Sequence, residues 1–322
     1  MVQSWTVELK AVGEVDVERY GGKAVSLGKM ARLGMRVPPG FCIEASALDA
    51  VIENNDLRRS ISQIAAQFDF EDFADVERKT GEIRSLIQDA PMPANMQAEI
   101  RGRHEALTGS GHKYVAVRSS VAVRGTKISS FPGMMDTYHY VLGGDEVLAR
   151  VRECWASLWS ARATFLRHHK RVPHEQAIIA PVVQAMVDPD TAGVLFTANP
   201  VSKSRDEIVV EANWGLGESV VSGKSMNDYY VVSKANRGVL QRKIAAKTLM
   251  VVMDDAKGRD RSERAVPEAM ARKPTLSDSQ LQELVGVGLD IERAYGFNVD
   301  VEWAYQQGVL FVLQARQIRD LN

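Results

Sequence analysis

The chain has 322 residues, enough for one large domain or two lobes. Hydrophobic residues make up 45% and charged residues 25%, and the net charge is -1, so bulk charge points neither to nucleic acid nor to an anionic membrane. The two cysteines, Cys42 and Cys154, lie far apart and outside any metal-ligand spacing, which argues against a disulfide framework or a zinc site. The opening MVQSWTVELK lacks the cationic-then-apolar pattern of a leader, and no stretch nears the roughly 18 apolar residues of a membrane span. A cytoplasmic protein is expected.

In residues 20–40, Ala24, Leu27, Met30 and Leu33 recur at helical spacing behind Gly21 and Gly22. Gly34 ends that helix, and Val37-Pro38-Pro39-Gly40 makes a rigid exit. Residues 46–107 read as helical, broken at Pro91 and Pro93. From Lys113 the pattern alternates as in a strand, and a loop rich in glycine and serine follows from Ser119 to Gly133. Asp145 is placed to cap one long helix carrying Val147, Val151, Trp155, Leu158, Arg162 and Phe165, with Trp155 and Trp159 as core anchors.

The second half is rich in strands, at 178–187, 193–197 and 208–211. Residues 254–274 read as an exposed polar excursion, and a helix follows from Ser277 to about Tyr295. The C-terminal stretch reads as a hairpin. Strands and helices without regular βα alternation predict an α+β fold in two lobes, 1–178 and 179–322.

The terminal hairpin is the most informative segment. With Gln306, Gln307 and Gly308 in the turn and Tyr305 opposite Val309, alternation puts Asp300, Glu302, Gln314 and Arg316 on one face. Val301, Trp303, Phe311 and Leu313 take the other. Two readings fit: a solvated polar face, or oxygen donors for Mg²⁺ (Glu302, Gln314) beside a phosphate-binding arginine (Arg316).

Other segments are equally two-sided. Gly21-Gly22-Lys23 lets a lysine reach a phosphate or simply starts a helix, and it is not a Walker A sequence. Arg118-Ser119-Ser120 ends a strand before a loop holding Arg124, Lys127, Ser129 and Ser130, either a phosphate cover or a basic surface loop. The stretch from Glu211 to Glu218 is a strand followed by a glycine-punctuated turn. No GxSxG or HExxH pattern occurs.

Several segments together resemble the N-terminal nucleotide-binding domain of the pyruvate phosphate dikinase and phosphoenolpyruvate synthase family. They are GGKAVSLGKMARLGMRVPPGF, VAVRSS, PGMMDTY, VVQAMV, AGVLFTANPVS, EANWGLGESVVSG and DVEWAYQQGVLFVLQARQI, in the family's order across nearly the whole chain. Each is weak alone; the ordered set is specific. The resemblance implies an ATP-grasp fold with the nucleotide between the lobes. It implies that Lys23, Arg118 and Arg316 contact phosphates and serve catalysis. Gly133 and Thr137 fall on phosphate-loop positions, Gln184 on a nucleotide-contacting strand, and Glu302 and Gln314 on Mg²⁺-ligand positions.

The family's chemistry moves the β-phosphoryl group of ATP to a histidine on a separate swivelling domain and releases AMP, which calls for Mg²⁺ and cations around the phosphates. The usual Glu-Asp pair after Arg-Ser-Ser is replaced by Val121-Ala122-Val123-Arg124-Gly125. Pro-Gly-Met-Met-Asp-Thr is closer to the dikinase form, which leaves both water and phosphate open as takers of the γ-phosphoryl group. None of His104, His112, His139, His168, His169 and His174 lies in a Thr-Xaa-His-Ala segment. The expectation is therefore an ATP-binding phosphotransferase subunit whose carrier histidine and acceptor domain lie on a partner, as in phenylphosphate synthase, or a piece of a longer dikinase-like enzyme. A nucleotide-sensing or scaffold subunit is the alternative.

Overall fold

The computed structural model describes residues 4–126, 137–223, 225–254 and 260–318. The chain divides into two compact units, Met1–Lys29 with Pro39–Met186 and Met30–Pro38 with Val187–Asn322. The expected boundary at 178/179 falls inside a strand that stays whole in the first unit.

The first unit holds a five-stranded antiparallel sheet of β1 (Thr6–Glu8), β2 (Gly40–Ile43), β3 (Val115–Val123), β4 (Thr137–Val141) and β5 (Ala177–Ala185), in the order β1-β2-β5-β3-β4. Its helices are α1 (Val17–Arg32), α2 (Ser46–Asn54), α3 (Leu57–Ala65), α4 (Phe73–Asp89), α5 (Ala94–Gly109), α6 (Gly144–Ser157) and α7 (Ala161–His169). Strand alternation sends Val115, Val117, Val121 and Val123 of β3, with Ile179 and Val183 of β5, to one face. There they join one apolar core with Ile83 and Ile87 of α4, Met96 and Ile100 of α5, and Val151 and Trp155 of α6. The opposite face carries Ala116, Arg118 and Ser120 and is treated with the site below.

Three expectations change here. β3 runs to Val123, because Ser119 and Ser120 continue the ladder opposite Pro181 and Ala180 of β5 instead of opening a loop. The single helix expected after Asp145 is two: α6 ends at Ser157, and Ser160 starts α7 by accepting from the Ala163 N–H at 3.3 Å. Gly143 holds the N-cap position of α6, while Asp145 lies in its first turn and pairs with Arg101 at 2.7 Å. Trp155 and Trp159 are both buried, as anchors should be.

The second unit is built on a six-stranded antiparallel sheet. Its strands are β6 (Thr191–Phe196), β7 (Glu207–Trp214), β8 (Asp228–Ser233), β9 (Val239–Lys243), and the late pair labelled below as β12 and β13. Between them come the ribbon β10 (Leu249–Asp254) and β11 (Asp260–Ala265) and the helices α8 (Glu218–Val221), α9 (Glu268–Ala271) and α10 (Asp278–Tyr295). The hairpin β12 (Val299–Gln306) and β13 (Val309–Gln317) closes the order β13-β12-β6-β7-β8-β9.

The excursion expected at 254–274 is thus partly structured, with Ser262 and Val266 buried. α10 starts at a capping box, Ser277 with Gln280, and stops at Gly296 with φ 74°, which matches the expected limits. It lies on the sheet so closely that a Cβ on Gly288 would meet Leu195 Cδ2 at 2.6 Å. A buried carboxylate buckles this unit: Asp228 accepts from Lys247 Nζ at 2.7 Å, the Ala245 N–H at 2.9 Å and the Thr275 N–H at 2.8 Å.

Candidate active site

In the first unit the Gly-Gly pair sets the geometry. Gly21 interrupts α1 with φ 72°, and a Cβ there would sit 2.4 Å from the Ser120 carbonyl carbon. Only glycine allows that approach. Two residues beyond Lys23's preceding glycine, the Ala24 N–H donates to Ser120 Oγ at 3.0 Å. Lys23 is therefore held next to the point where α1 meets β3 at Ser120, two residues along that strand from Arg118.

Arg118 pairs with Thr137 on β4 and with Val182 on β5, and Ala116 pairs with Gln184. Pairing and alternation put Arg118, Thr137 and Gln184 on one sheet face, opposite the helical core. Lys23, Arg118 and Thr137 are half-buried and Gln184 is buried. Arg124, expected in the phosphate loop, is instead ion-paired with Asp49 at 2.8 Å. Gly133, Lys127, Ser129 and Ser130 lie outside the described residues.

In the second unit the hairpin reaches the expected face by an unexpected route. The turn is two residues, Gln307-Gly308, with φ 50° and 77°, so Gln306 faces Val309 and Tyr305 faces Leu310 instead of Val309. Continued unchanged, that register would set Glu302 opposite Leu313. The register shifts between Glu302 and Trp303, Leu313 being the extra residue, and Glu302 pairs with Gln314 while Asp300 pairs with Arg316. The four polar side chains share one face, and Val301 and Trp303 are fully buried on the other.

Sequence reasoning put Asp300 on this face but assigned it no role. In the structure Arg316 Nε donates to Asp300 Oδ2 at 2.7 Å, and Asp300 Oδ1 is buried without a partner among the described residues. Burial pushes the Asp300 carboxyl up, Arg316 pulls it back, and the Glu302 charge pushes it up again. An orphaned carboxylate oxygen beside Glu302 and Gln314 is a donor set of two carboxylates and an amide oxygen. That set fits Mg²⁺, which takes one or two carboxylates with substrate phosphates, better than zinc. Among the described residues no group of three or more His, Cys, Asp or Glu side chains is arranged to hold a metal by itself.

The same face carries a carboxylate, Glu211, that sequence reasoning placed on a strand but gave no role. Glu302 pairs with Val194 and Val194 with Glu211, so Gln314, Glu302, Val194 and Glu211 form one cross-strand row. Asn227 Nδ2 donates to Glu211 Oε2 at 3.3 Å, and Asn213 Nδ2 donates to Asn227 Oδ1 at 3.3 Å. Only strand register joins Glu211 to the hairpin pair, because β6 and β7 lie far from the hairpin in sequence.

The family model for the pyruvate phosphate dikinase AMP/ATP-binding domain matches residues 17–322. The chain belongs to this family. It is 37% identical to the phosphoenolpyruvate synthase of Pyrococcus furiosus, over 95% of this chain and 43% of that protein. It is 39% identical to a probable phosphoenolpyruvate synthase of Methanocaldococcus jannaschii, over 99% of this chain and 27% of that one. The prodigiosin synthesizing transferase PigC of Serratia marcescens is 37% identical, over 97% of this chain and 33% of its own length. The chain thus spans less than half the length of these relatives. A likeness to D-alanine–D-alanine ligase from Bacillus anthracis has TM-score 0.28 and 10% identity, covering 76% of this chain and 66% of that one, and is too slight to carry weight. As a dikinase-type AMP/ATP-binding domain, the chain has the mixed helix and sheet expected of it. No described helix is long and apolar enough to cross a membrane.

Proposed function

We propose that this domain binds Mg-ATP in an ATP-grasp manner and passes the β-phosphoryl group to a histidine on a separate swivelling domain or subunit, releasing AMP. The carrier would then phosphorylate a small molecule such as a phenol or pyruvate. The observation that carries the reading is the single face shared by Asp300, Glu302, Gln314 and Arg316, with a buried unpartnered oxygen on Asp300.

Asp300, Glu302 and the Gln314 amide oxygen would hold Mg²⁺, which neutralises polyphosphate charge when bound. Arg316, oriented by Asp300, presents a planar guanidinium to a phosphate. Lys23 and Arg118 add positive charge, the Thr137 hydroxyl and the Gly133 backbone suit phosphate oxygens, and Gln184 suits the nucleotide. Charge neutralisation with exclusion of water is what a dissociative phosphoryl transfer needs.

The test is incubation with β-labelled and, separately, γ-labelled ATP, with and without proteins encoded beside this chain. Label from the β position on a partner histidine, together with AMP, is expected. Glu302→Ala and Arg316→Ala should abolish AMP formation with the fold intact. ATP binding without AMP formation under every pairing would sink the catalytic reading in favour of a nucleotide sensor.

A further inference from the structure

On the first unit, α7 and the segment before α4 border an open recess of about 640 Å³, none of whose lining residues belongs to the candidate active site. This is within the range of small-molecule sites, roughly 300–1,000 Å³. Its apolar wall is Phe70, Phe165 and Leu166. Arg162, His168, His169 and Arg171 surround that wall, against one carboxylate, Glu71.

Several arginines on the first unit's helices are neutralised locally, Arg78 by Asp75 and Glu82, Arg84 by Glu77, Arg101 by Asp145 and Arg150 by Glu153, while among the described residues Arg59 and Arg152 are not. Arg162 and Arg171, which line the recess, have no such ion pair among the described residues. His168 and His169 sit in the last turn of α7, and Arg162 sits in its first, where a cation opposes the dipole. Arg171 follows that helix as its left-handed stop, φ 53°: its N–H donates to the His168 carbonyl at 3.0 Å, and the Val172 N–H donates to the Arg167 carbonyl at 2.8 Å.

The wall is already organised. Phe70 stacks on His168 with centroids 3.6 Å apart and planes at 10°. Phe165 stacks on Phe73 at 5.6 Å and 9°, and meets Phe70 edge-on at 5.6 Å. Phe73 is 63% exposed although it is large and apolar. Rings fixed by one another lose little freedom on binding, and unpaired cations beside them favour a ligand with an apolar ring and a negative group.

We propose that this recess is a second binding site, for a small aromatic anion: an aryl ring carrying a phosphate or carboxylate. The ring packs on Phe70, Phe165 and Leu166, and the anionic group takes hydrogen bonds from Arg162 and Arg171. This site is independent of the nucleotide reading.

Titration calorimetry with phenyl phosphate as the probe, and with inorganic phosphate and phenol as separate probes, tests it. Wild type and Glu302→Ala should bind phenyl phosphate alike, and more tightly than either fragment. The double variant Arg162→Ala/Arg171→Ala should bind at least about 10-fold more weakly, from lost charge-assisted hydrogen bonds. Its melting should be unchanged, since both side chains are exposed. Phe70→Leu should lower the advantage of phenyl phosphate over phosphate. No saturable binding, equal binding by the double variant, or loss of binding in Glu302→Ala with retention in the double variant would each overturn the proposal.

Discussion

Arg316 Nε donates to Asp300 Oδ2 at 2.7 Å across the terminal hairpin, while the other oxygen of that carboxylate is buried without a partner among the described residues. One side chain thus positions a cation and keeps a free donor on the Glu302 face. Asp300→Asn preserves the shape and removes the charge. A charge-assisted hydrogen bond contributes about 1.5–3 kcal/mol. Mg-ATP affinity, measured by titration calorimetry, should fall by roughly 10-fold or more. Unchanged affinity would remove Asp300 from the site. Because burial raises the Asp300 carboxyl, wild-type affinity should also decline on acidification while ordinary carboxylates are still ionised. Asp300→Asn should lack that early decline.

Gly21→Ala tests how Lys23 is placed. The new methyl would lie 2.4 Å from the Ser120 backbone at φ 72°, so helix start or strand must move. Gly111→Ala is the matched control, with φ 100° and nothing within 4 Å of the added Cβ. Backbone strain alone costs about 1 kcal/mol or somewhat more in both. Only Gly21→Ala should also weaken Mg-ATP binding. Equal effects of the two substitutions on binding would dissociate the close approach from function.

His174 should make the first unit acid-sensitive. Burial comes first among the causes, followed by the charges of Arg167 and His168, in bringing its imidazole down from 6.5 to about 4. Its Nδ1 accepts from Arg167 Nε at 3.0 Å, so the neutral ring is the one the fold needs. The unfolded chain protonates this histidine below about 6.5 and the folded chain only near 4. Stability is therefore complete above the upper value and is lost as pH falls through this window. Allowing for partial exposure, the loss is about 2 kcal/mol. His174→Gln keeps an acceptor for Arg167 and removes the titration. Its melting temperature should be flatter across that window than wild type, and parallel curves would contradict the assignment.

Lys247→Met examines the buckle of the second unit. Lys247 and Asp228 are both fully buried, 2.7 Å apart. Removing one partner of a buried pair costs about 3–5 kcal/mol, because the other charge stays buried. The retained bonds from Thr275 and Ala245 to Asp228 place the expected loss toward the lower end. Denaturant midpoints would show it. A loss below about 1 kcal/mol would mean that the remaining donors suffice for Asp228.

Much of the site was legible because period is local information. Strand alternation from Asp300 to Arg316 put the polar residues on one face even though the assumed turn was one residue too long. Two differences cancelled: the two-residue turn at Gln307-Gly308 shifted the register by one, and the bulge at Leu313 restored the parity. The last helix, expected from Ser277 to about Tyr295, was legible for the same local reason. The break between the two helices at Ser157 and Ser160 was hidden, because apolar spacing carried on across it.

The amino-acid sequence by itself determined the family and the α+β class and supplied the candidate cations and oxygen donors, since each depends on short patterns and their order along the chain. Tertiary structure alone decided which donors stand side by side. Asp300's orphaned oxygen, the row from Gln314 through Glu302 to Glu211, and the neutral His174 against Arg167 all depend on burial and on register between distant strands or helices. Those quantities arise only when segments far apart in the chain exclude water from one another.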